Sequence, residues 1–323
     1  MAQTIVIPAA GRCLLFLFSH ICGEGLTMKM NRNRGGKQSR GQNREQSRSQ
    51  NRDKRQKGTA QAMPNFSGQH LLHHRKTIEA LIRLPRLGPG DTVLDIGAGK
   101  GALTLPLAAV AGKVIAIEQD AGFVRILREK TADYPHITVY QGDFRTMKLP
   151  GQPFCAVANL PFAITTEALD KLLGWGNGNL LRGAFIVEKG AAVRFTAPGC
   201  ADPRIIAWRM NYLMEKRGRV ERTCFSPPPG VDGSILYVER RKQPLLPQGQ
   251  YRRFCTFAGF LLKAAGHPIH EPLRVIFTAA QMKLALKEAE AERDQSAASL
   301  SLRQWSVLFQ AMLRYAPSYR WPG

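Results

Sequence analysis

The stretch Val93-Leu94-Asp95-Ile96-Gly97-Ala98-Gly99-Lys100-Gly101 constrains this chain more than any other. Four residues with the pattern of a buried strand run straight into a glycine-rich turn. Ala102, Leu103, Leu105, Pro106, Leu107, Ala108 and Ala109 then read as the start of a helix. Glycines at alternate positions let the backbone approach a ligand closely and leave N–H groups pointing outward at a helix N-terminus. That geometry suits an adenosine-bearing ligand. By itself it says no more, because dinucleotide-binding folds use a close relative of it.

The alternation continues downstream. Residues 113–118 (KVIAIE), 137–140 (ITVY), 154–158 (FCAVA) and 184–187 (AFIV) read as buried strands, with helical spacing over 123–130 and 166–173. Residues 234–239 (SILYVE) are expected to close the sheet after the loop Pro227-Pro228-Pro229. Alternating βα units mean an α/β fold, a mostly parallel sheet with helices on both faces. Beyond Arg240 the character changes. Pro244 and Pro247 mark a linker, and segments over 251–264, 281–293 and 302–314 have helical spacing, basic near Arg252, Arg253, Lys263 and Arg274. The expected organisation is therefore a basic tail over 1–63, an α/β domain over 64–241 and a small helical C-terminal domain over 242–323.

A net charge of +22 on 323 residues is an argument about partners and points to nucleic acid or an anionic surface. Between Met28 and Met63 stand eleven Lys or Arg against Glu45 and Asp53, with almost nothing apolar. Such a segment cannot bury enough surface to fold alone, and its spaced arginines suit salt-sensitive phosphate contacts. Order is expected to begin near Asn65. Translation is expected to start at Met28 or Met30, leaving residues 1–27 outside the folded protein. The six scattered cysteines contain no CxxC pair, which argues against a disulfide scaffold or a zinc site and fits a reducing, cytoplasmic compartment. His73-His74 and His267-x-x-His270 lack companion ligands, so no metal is expected. The run Cys13–Phe18 is too short to span a membrane, and no other run is longer.

In an open parallel sheet, ligands sit beyond the carboxyl ends of the strands, and this sequence puts a polar residue at each. Glu118 ends the second strand, 23 positions after Asp95, about where an acidic residue takes both ribose hydroxyls of a nucleoside. Asp143 ends the third and can accept from an adenine amino group. Asn159 ends the fourth, opening Asn159-Leu160-Pro161-Phe162. This has the form (Asn/Asp)-(Pro/Leu/Ile)-Pro-(Tyr/Phe/Trp) of amino-group methyltransferases, and the chemistry explains why. An exocyclic amine is a poor nucleophile because its lone pair is delocalised into the ring. The Asn159 side-chain oxygen and the Leu160 carbonyl can accept both its N–H bonds, Pro161 stiffens the turn, and Phe162 offers a face for the base. A base presented this way must leave its helix, so an unpaired or flipped target is implied.

With these residues the chain resembles the rRNA adenine N6-dimethyltransferases, and within them the Erm-type enzymes of macrolide–lincosamide–streptogramin B resistance. The resemblance runs from about Ser67 to Phe309 through SGQHLL, DIGAGKG, AIEQD, QGDF, NLPFAITT and VDGSILYVERRKQPL. LRVIFTAAQMKLAL and SLRQWSVLF favour the Erm type over the housekeeping small-subunit enzymes. It implies a Rossmann-like class I methyltransferase, S-adenosylmethionine as methyl donor, and one adenine of 23S rRNA as target, reached before large-subunit assembly by a monomer. Carried over by motif, cofactor contacts fall on His70, Leu72, Gly97, Gly99, Glu118, Asp143 and Asn159, and the catalytic turn on Asn159, Leu160, Pro161 and Phe162. Two departures stand out: Gln69-His70 replaces the usual Gln-Asn, so that contact relies more on backbone, and Phe162 replaces a frequent Tyr. Two alternatives stay open, a small-subunit rRNA dimethyltransferase and an RNA-binding factor on the same fold that has lost catalysis. A nicotinamide-dependent oxidoreductase fits the glycines loosely and leaves NLPF and the charge unexplained.

Overall fold

The computed structural model describes residues 69–323, except 176–178, residue 200 and the side chain of Trp175. The expected basic tail over 1–63, the start of order near Asn65 and the Ser67-Gly68 part of SGQHLL lie outside the described residues. From its first described residues the chain forms β1 (Leu71–Leu72), α1 (Arg75–Arg83), β2 (Thr92–Ile96), α2 (Thr104–Ala108), β3 (Lys113–Glu118), α3 (Ala121–Thr131) and β4 (Ile137–Gln141). Then come β5 (Phe154–Asn159), α4 (Thr165–Leu169), β6 (Leu180–Glu188), α5 (Lys189–Thr196), α6 (Pro203–Asn211) and β7 (Tyr212–Val220). β8 (Phe225–Ser226) and β9 (Gly233–Arg240) precede α7 (Tyr251–Lys263), α8 (His270–Ile276), α9 (Ala279–Ala289) and α10 (Leu302–Tyr315).

Seven strands form one sheet in the order β4-β3-β2-β5-β6-β9-β7, parallel from β4 to β6, with β9 and β7 each antiparallel to its predecessor in that order. The central strands read as unbroken apolar runs because helices cover both faces. Successive side chains alternate between two cores. Val93, Val114, Cys155, Val157, Ala184 and Ile186 enter one, and Leu94, Ile96, Ala156, Ala158, Phe185 and Val187 the other. The fold is Rossmann-like, as expected.

Two sequence expectations need correcting. The strand around Ser234–Glu239 does not close the sheet; it lies inside it, and β7 is the edge. β7 escapes a sequence reading, with α5 and α6 before it, because residues 215–219 are exposed and carry Lys216, Arg217 and Arg219. The strand is also broken in register between Arg217 and Arg219, where Gly218 adopts φ +68°. Charge and a bulge obscure an apolar period, and the same two features keep an exposed edge from pairing with other chains. The second correction concerns the linker at Pro244 and Pro247. Leu245 N–H donates to the Met210 carbonyl (2.9 Å), Ser306 Oγ donates to the Leu245 carbonyl (2.6 Å), and Leu246 is buried. Prolines interrupt the regular structure here, while two leucines fasten the segment down.

The helical region builds its own core. Thr278 and Ser301 open α9 and α10 as capping boxes with Gln281 and Gln304. Phe254 meets Phe309 edge-on (5.3 Å, 86°) and Phe257 meets Trp305 edge-on (6.2 Å, 86°), and Ile206, Ala207 and Met210 of α6 join the cluster. Helix α6 thus faces the sheet through Ile205 and Trp208 and the helical core through Ile206 and Met210.

Candidate active site

β2 and β5 are parallel neighbours, with Asp95 opposite Val157, although β3 and β4 lie between them in sequence. A reversal of strand order of this kind opens a crevice at the carboxyl ends. It sets the turn after β2 beside the turn after β5. Gly97 adopts φ +72°, and a β-carbon there would stand 3.7 Å from the Asn159 carbonyl oxygen and from Pro161 Cδ. Gly99 adopts φ +54°, and a β-carbon would press within 3.0 Å of Leu71 Cδ2. Both conformations are ones that glycine alone adopts without strain.

A crevice opens at this junction, of the concave kind in which small-molecule sites are built. His70, Gly97, Gly99, Glu118, Asp143, Asn159, Leu160, Pro161 and Phe162 all line it. The structure therefore brings together nearly every residue singled out from the sequence. The N-terminal approach reaches the site because β1 pairs antiparallel with β8, Leu71 opposite Ser226 and Leu72 opposite Phe225. Leu72 is the exception. Its side chain is buried in the core on one face of the sheet and borders an adjoining cavity instead.

Glu118 is 5% exposed, and its carboxylate is held by backbone N–H groups. Oε2 accepts from Gly99 (2.8 Å), and Oε1 accepts from both Gln119 and Asp120 (2.9 Å each). Oε1 has thus filled both lone pairs and Oε2 one of two. Asn159 Nδ2 donates to the His70 carbonyl (2.8 Å), and His70 Nδ1 hydrogen-bonds the Pro227 carbonyl oxygen (2.8 Å). A carbonyl can only accept, so this contact sets which end of the Asn159 amide is nitrogen. Leu160 N–H donates to the Ile186 carbonyl (3.2 Å), and the Pro161 carbonyl accepts from Ile164 N–H (3.1 Å) and Thr165 Oγ1 (3.2 Å). These bonds stiffen the turn. The rings of His70 and Phe162 stand 6.5 Å apart, tilted by 45°.

Asp143 lines the cavity with a carboxylate that is already engaged. Arg145 grips it through Nη2 (2.7 Å), Nε (2.9 Å) and its backbone N–H (2.8 Å), and hydrogen bonding to Arg145 holds Asp143 below the usual carboxylate range. Arg145 also reaches Glu167 on α4 (3.3 Å).

Sequence reasoning missed three groups. Arg145 stands two positions after Asp143, where a local ion pair could have been suspected. Lys171 lies in the π-helical stretch Asp170–Trp175 after α4, where nothing in the neighbouring sequence marks it. Asp95, read only as the middle of a strand, is fully buried, and burial pushes its pKa up to about 7. Thr104 Oγ1 donates to its Oδ2 (2.6 Å), while Oδ1 is buried with no partner among the described residues. Asp95 borders the adjoining cavity with Gly97, Gly99 and Asn159.

Among the described residues no cluster of His, Cys, Asp or Glu is placed to hold a metal ion, and no helix is long and apolar enough to cross a membrane. The family model for ribosomal RNA adenine dimethylases matches residues 61–312. An rRNA adenine N-6-methyltransferase of Bacillus licheniformis is 38% identical over 259 residues, 80% of this chain and 90% of that protein. A ribosomal RNA small subunit methyltransferase A of a Synechococcus species is 33% identical over 77% of this chain and 93% of that protein. The crystal structure of the 23S rRNA methyltransferase ErmE superposes with a TM-score of 0.64 at 28% identity, covering 75% of this chain and 99% of that one. With a glycine cradle and an NLPF turn joined in one crevice, and a family match over most of its length, the chain belongs to the ribosomal RNA adenine dimethylase family.

Proposed function

We propose that this member of the family methylates the N6 amino group of one adenine in 23S rRNA and so confers macrolide–lincosamide–streptogramin B resistance, acting as a cytoplasmic monomer before large-subunit assembly. That it is an S-adenosylmethionine-dependent rRNA adenine methyltransferase follows from the family. The choice of 23S rRNA is supported by the likeness to ErmE and by LRVIFTAAQMKLAL and SLRQWSVLF, which supply most of α8, α9 and α10. The bond from Asn159 Nδ2 to the His70 carbonyl carries the reading of the chemistry.

The cradle fits the methyl donor. Glycines at positive φ leave room where side chains would intrude, Glu118 offers a buried acceptor, and Asp95 Oδ1 is a buried oxygen without a donor. When bound, S-adenosylmethionine supplies a methyl group on a sulfonium, already activated towards a nucleophile. Glu118 keeps a lone pair of Oε2 for a ribose hydroxyl while the backbone N–H groups fix its carboxylate. Asp143, with Arg145 across its carboxylate, contributes a charge-neutral wall for the adenine. His70 acts through its carbonyl, which holds the Asn159 amide.

On the target side, Asn159 spends its nitrogen on His70, so Oδ1 accepts one amine hydrogen and the Leu160 carbonyl the other. Held between two acceptors, the target nitrogen is pinned and favoured as pyramidal, with its lone pair freed from the ring. Pro161 keeps the acceptors in place and Phe162 stacks on the base. A surplus of positive charge supplies the sequence-independent attraction to RNA phosphates.

Expression in a susceptible bacterial host tests the reading. Inhibitory concentrations should rise for macrolides, lincosamides and streptogramin B together, and Asn159→Ala should abolish the rise. An active protein that protects against none of them overturns the 23S assignment. A second reading, a small-subunit dimethyltransferase, is favoured by the 33% identity to small subunit methyltransferase A, and it predicts methylated 16S rRNA in the same cells.

A further inference from the structure

The loop after β4 forms one wall of the cavity through Gly142, Asp143 and Phe144. No strand or helix occupies residues 142–153, so its backbone carbonyls need partners from elsewhere. Thr146 serves the Asp143 carbonyl from within the loop, Asn179 serves those of Pro150 and Gly151, and Lys171 serves three more. It lies in the π-helical stretch Asp170–Trp175 that continues α4, and α4 follows directly from the Asn159–Phe162 turn. Lys171 Nζ donates to the carbonyls of Phe144 (2.6 Å), Arg145 (2.8 Å) and Met147, and stands 5.0 Å from the centre of the Phe144 ring. An ammonium has three donors, and all three are spent on this one loop. A second link, Arg145 to Glu167, joins the same elements, but both side chains are about half exposed and such pairs contribute little.

We propose that Lys171 is a positioning residue that fastens the cofactor-side loop to the helix carrying the base-receiving turn. Ordering either one by its ligand then helps to order the other. Cofactor and RNA should tighten each other's binding by the same factor, because such coupling is reciprocal. The proposal rests on the reading that the methyl donor and the target base share this cavity.

The test uses the full chain, S-adenosylhomocysteine as cofactor probe and a 23S rRNA transcript. Lys171→Met keeps the stem and removes the donors. Lys171→Arg keeps the charge, but a planar guanidinium cannot converge on three carbonyls. In both, the probe should bind about tenfold more weakly, about 1.4 kcal/mol. Amide exchange over 142–147 should accelerate. RNA affinity without cofactor should stay within about twofold of wild type, while the tightening caused by the probe shrinks. A merely structural lysine would lower the melting temperature without touching that coupling. Wild-type probe affinity in either folded variant overturns the proposal. If neither variant folds, exchange in the wild type decides: the probe should slow amides over 165–171 as well as 142–147, and slowing confined to the loop overturns it. A wild type that binds no S-adenosylhomocysteine at all would instead sink the methyltransferase reading.

Discussion

Asp95→Asn should change how stability depends on pH, and the structure sets the size. Asp95 is fully buried, and its pKa of about 7 stands well above the ordinary 3.8. The folded chain therefore holds a proton between about pH 4 and 7 that the unfolded chain has released. Stability from this group is fully present below pH 4 and falls as pH rises to about 7, by about 4 kcal/mol at most. Asparagine carries no charge, and its oxygen can keep the Thr104 hydrogen bond. Its NH2 must then occupy the place of Oδ1, where no acceptor waits, at a cost of about 1–3 kcal/mol. By pH 5 the wild type has already lost about 1.5 kcal/mol of the Asp95 contribution, so the two proteins should be close there, and at pH 8 the variant should be the more stable. Between pH 5 and 8 the gap changes by about 2.5 kcal/mol, and since 1 kcal/mol moves the melting temperature of a domain this size by about 2–4 °C, the difference between the two proteins should swing by about 5–10 °C. Thermal melts followed by circular dichroism at pH 5, 6, 7 and 8, without cofactor, measure this directly. Other titrating groups are common to both proteins and cancel in the difference. Parallel melting-temperature profiles would show that Asp95 is ionised in the folded chain throughout and would refute the argument.

Glu118→Gln puts an amide NH2 against backbone N–H groups that now all find an oxygen, so stability should fall by about 1–3 kcal/mol and cofactor affinity about tenfold, read by chemical denaturation and calorimetric titration. Gly99→Ala forces a side chain into φ +54° and against Leu71, which should cost about 1–2 kcal/mol and weaken cofactor binding, with retained affinity counting against the cradle. Ser301→Ala removes the cap of α10 and should cost about 1 kcal/mol in a denaturant melt while leaving cofactor affinity unchanged.

The parts of this site that are legible in the sequence are those whose signals are contiguous. A buried strand followed by glycines, an acidic residue at the next strand end, and NLPF each carry their meaning within a few residues. The central strands are equally legible, because burial on both faces leaves unbroken apolar runs. What the sequence hides depends on distant contacts or on surface chemistry. β1 reaches the site only by pairing with β8, over 150 positions away, and β7 is disguised by the charges that protect it as an edge. Nothing local marks Lys171, whose three partners lie more than 20 residues earlier. Glu118 is legible by position, yet the curl of Gln119 and Asp120 back onto Oε1 is not.

The most direct test of the central claim is methyl transfer from labelled S-adenosylmethionine to protein-free 23S and 16S rRNA, with the modified nucleoside identified by mass spectrometry. The account predicts label on N6 of a single adenine in 23S rRNA, none in 16S rRNA, and a loss of at least about a hundredfold in rate with Asn159→Ala. Label in 16S rRNA alone, or transfer undiminished in Asn159→Ala, would contradict it.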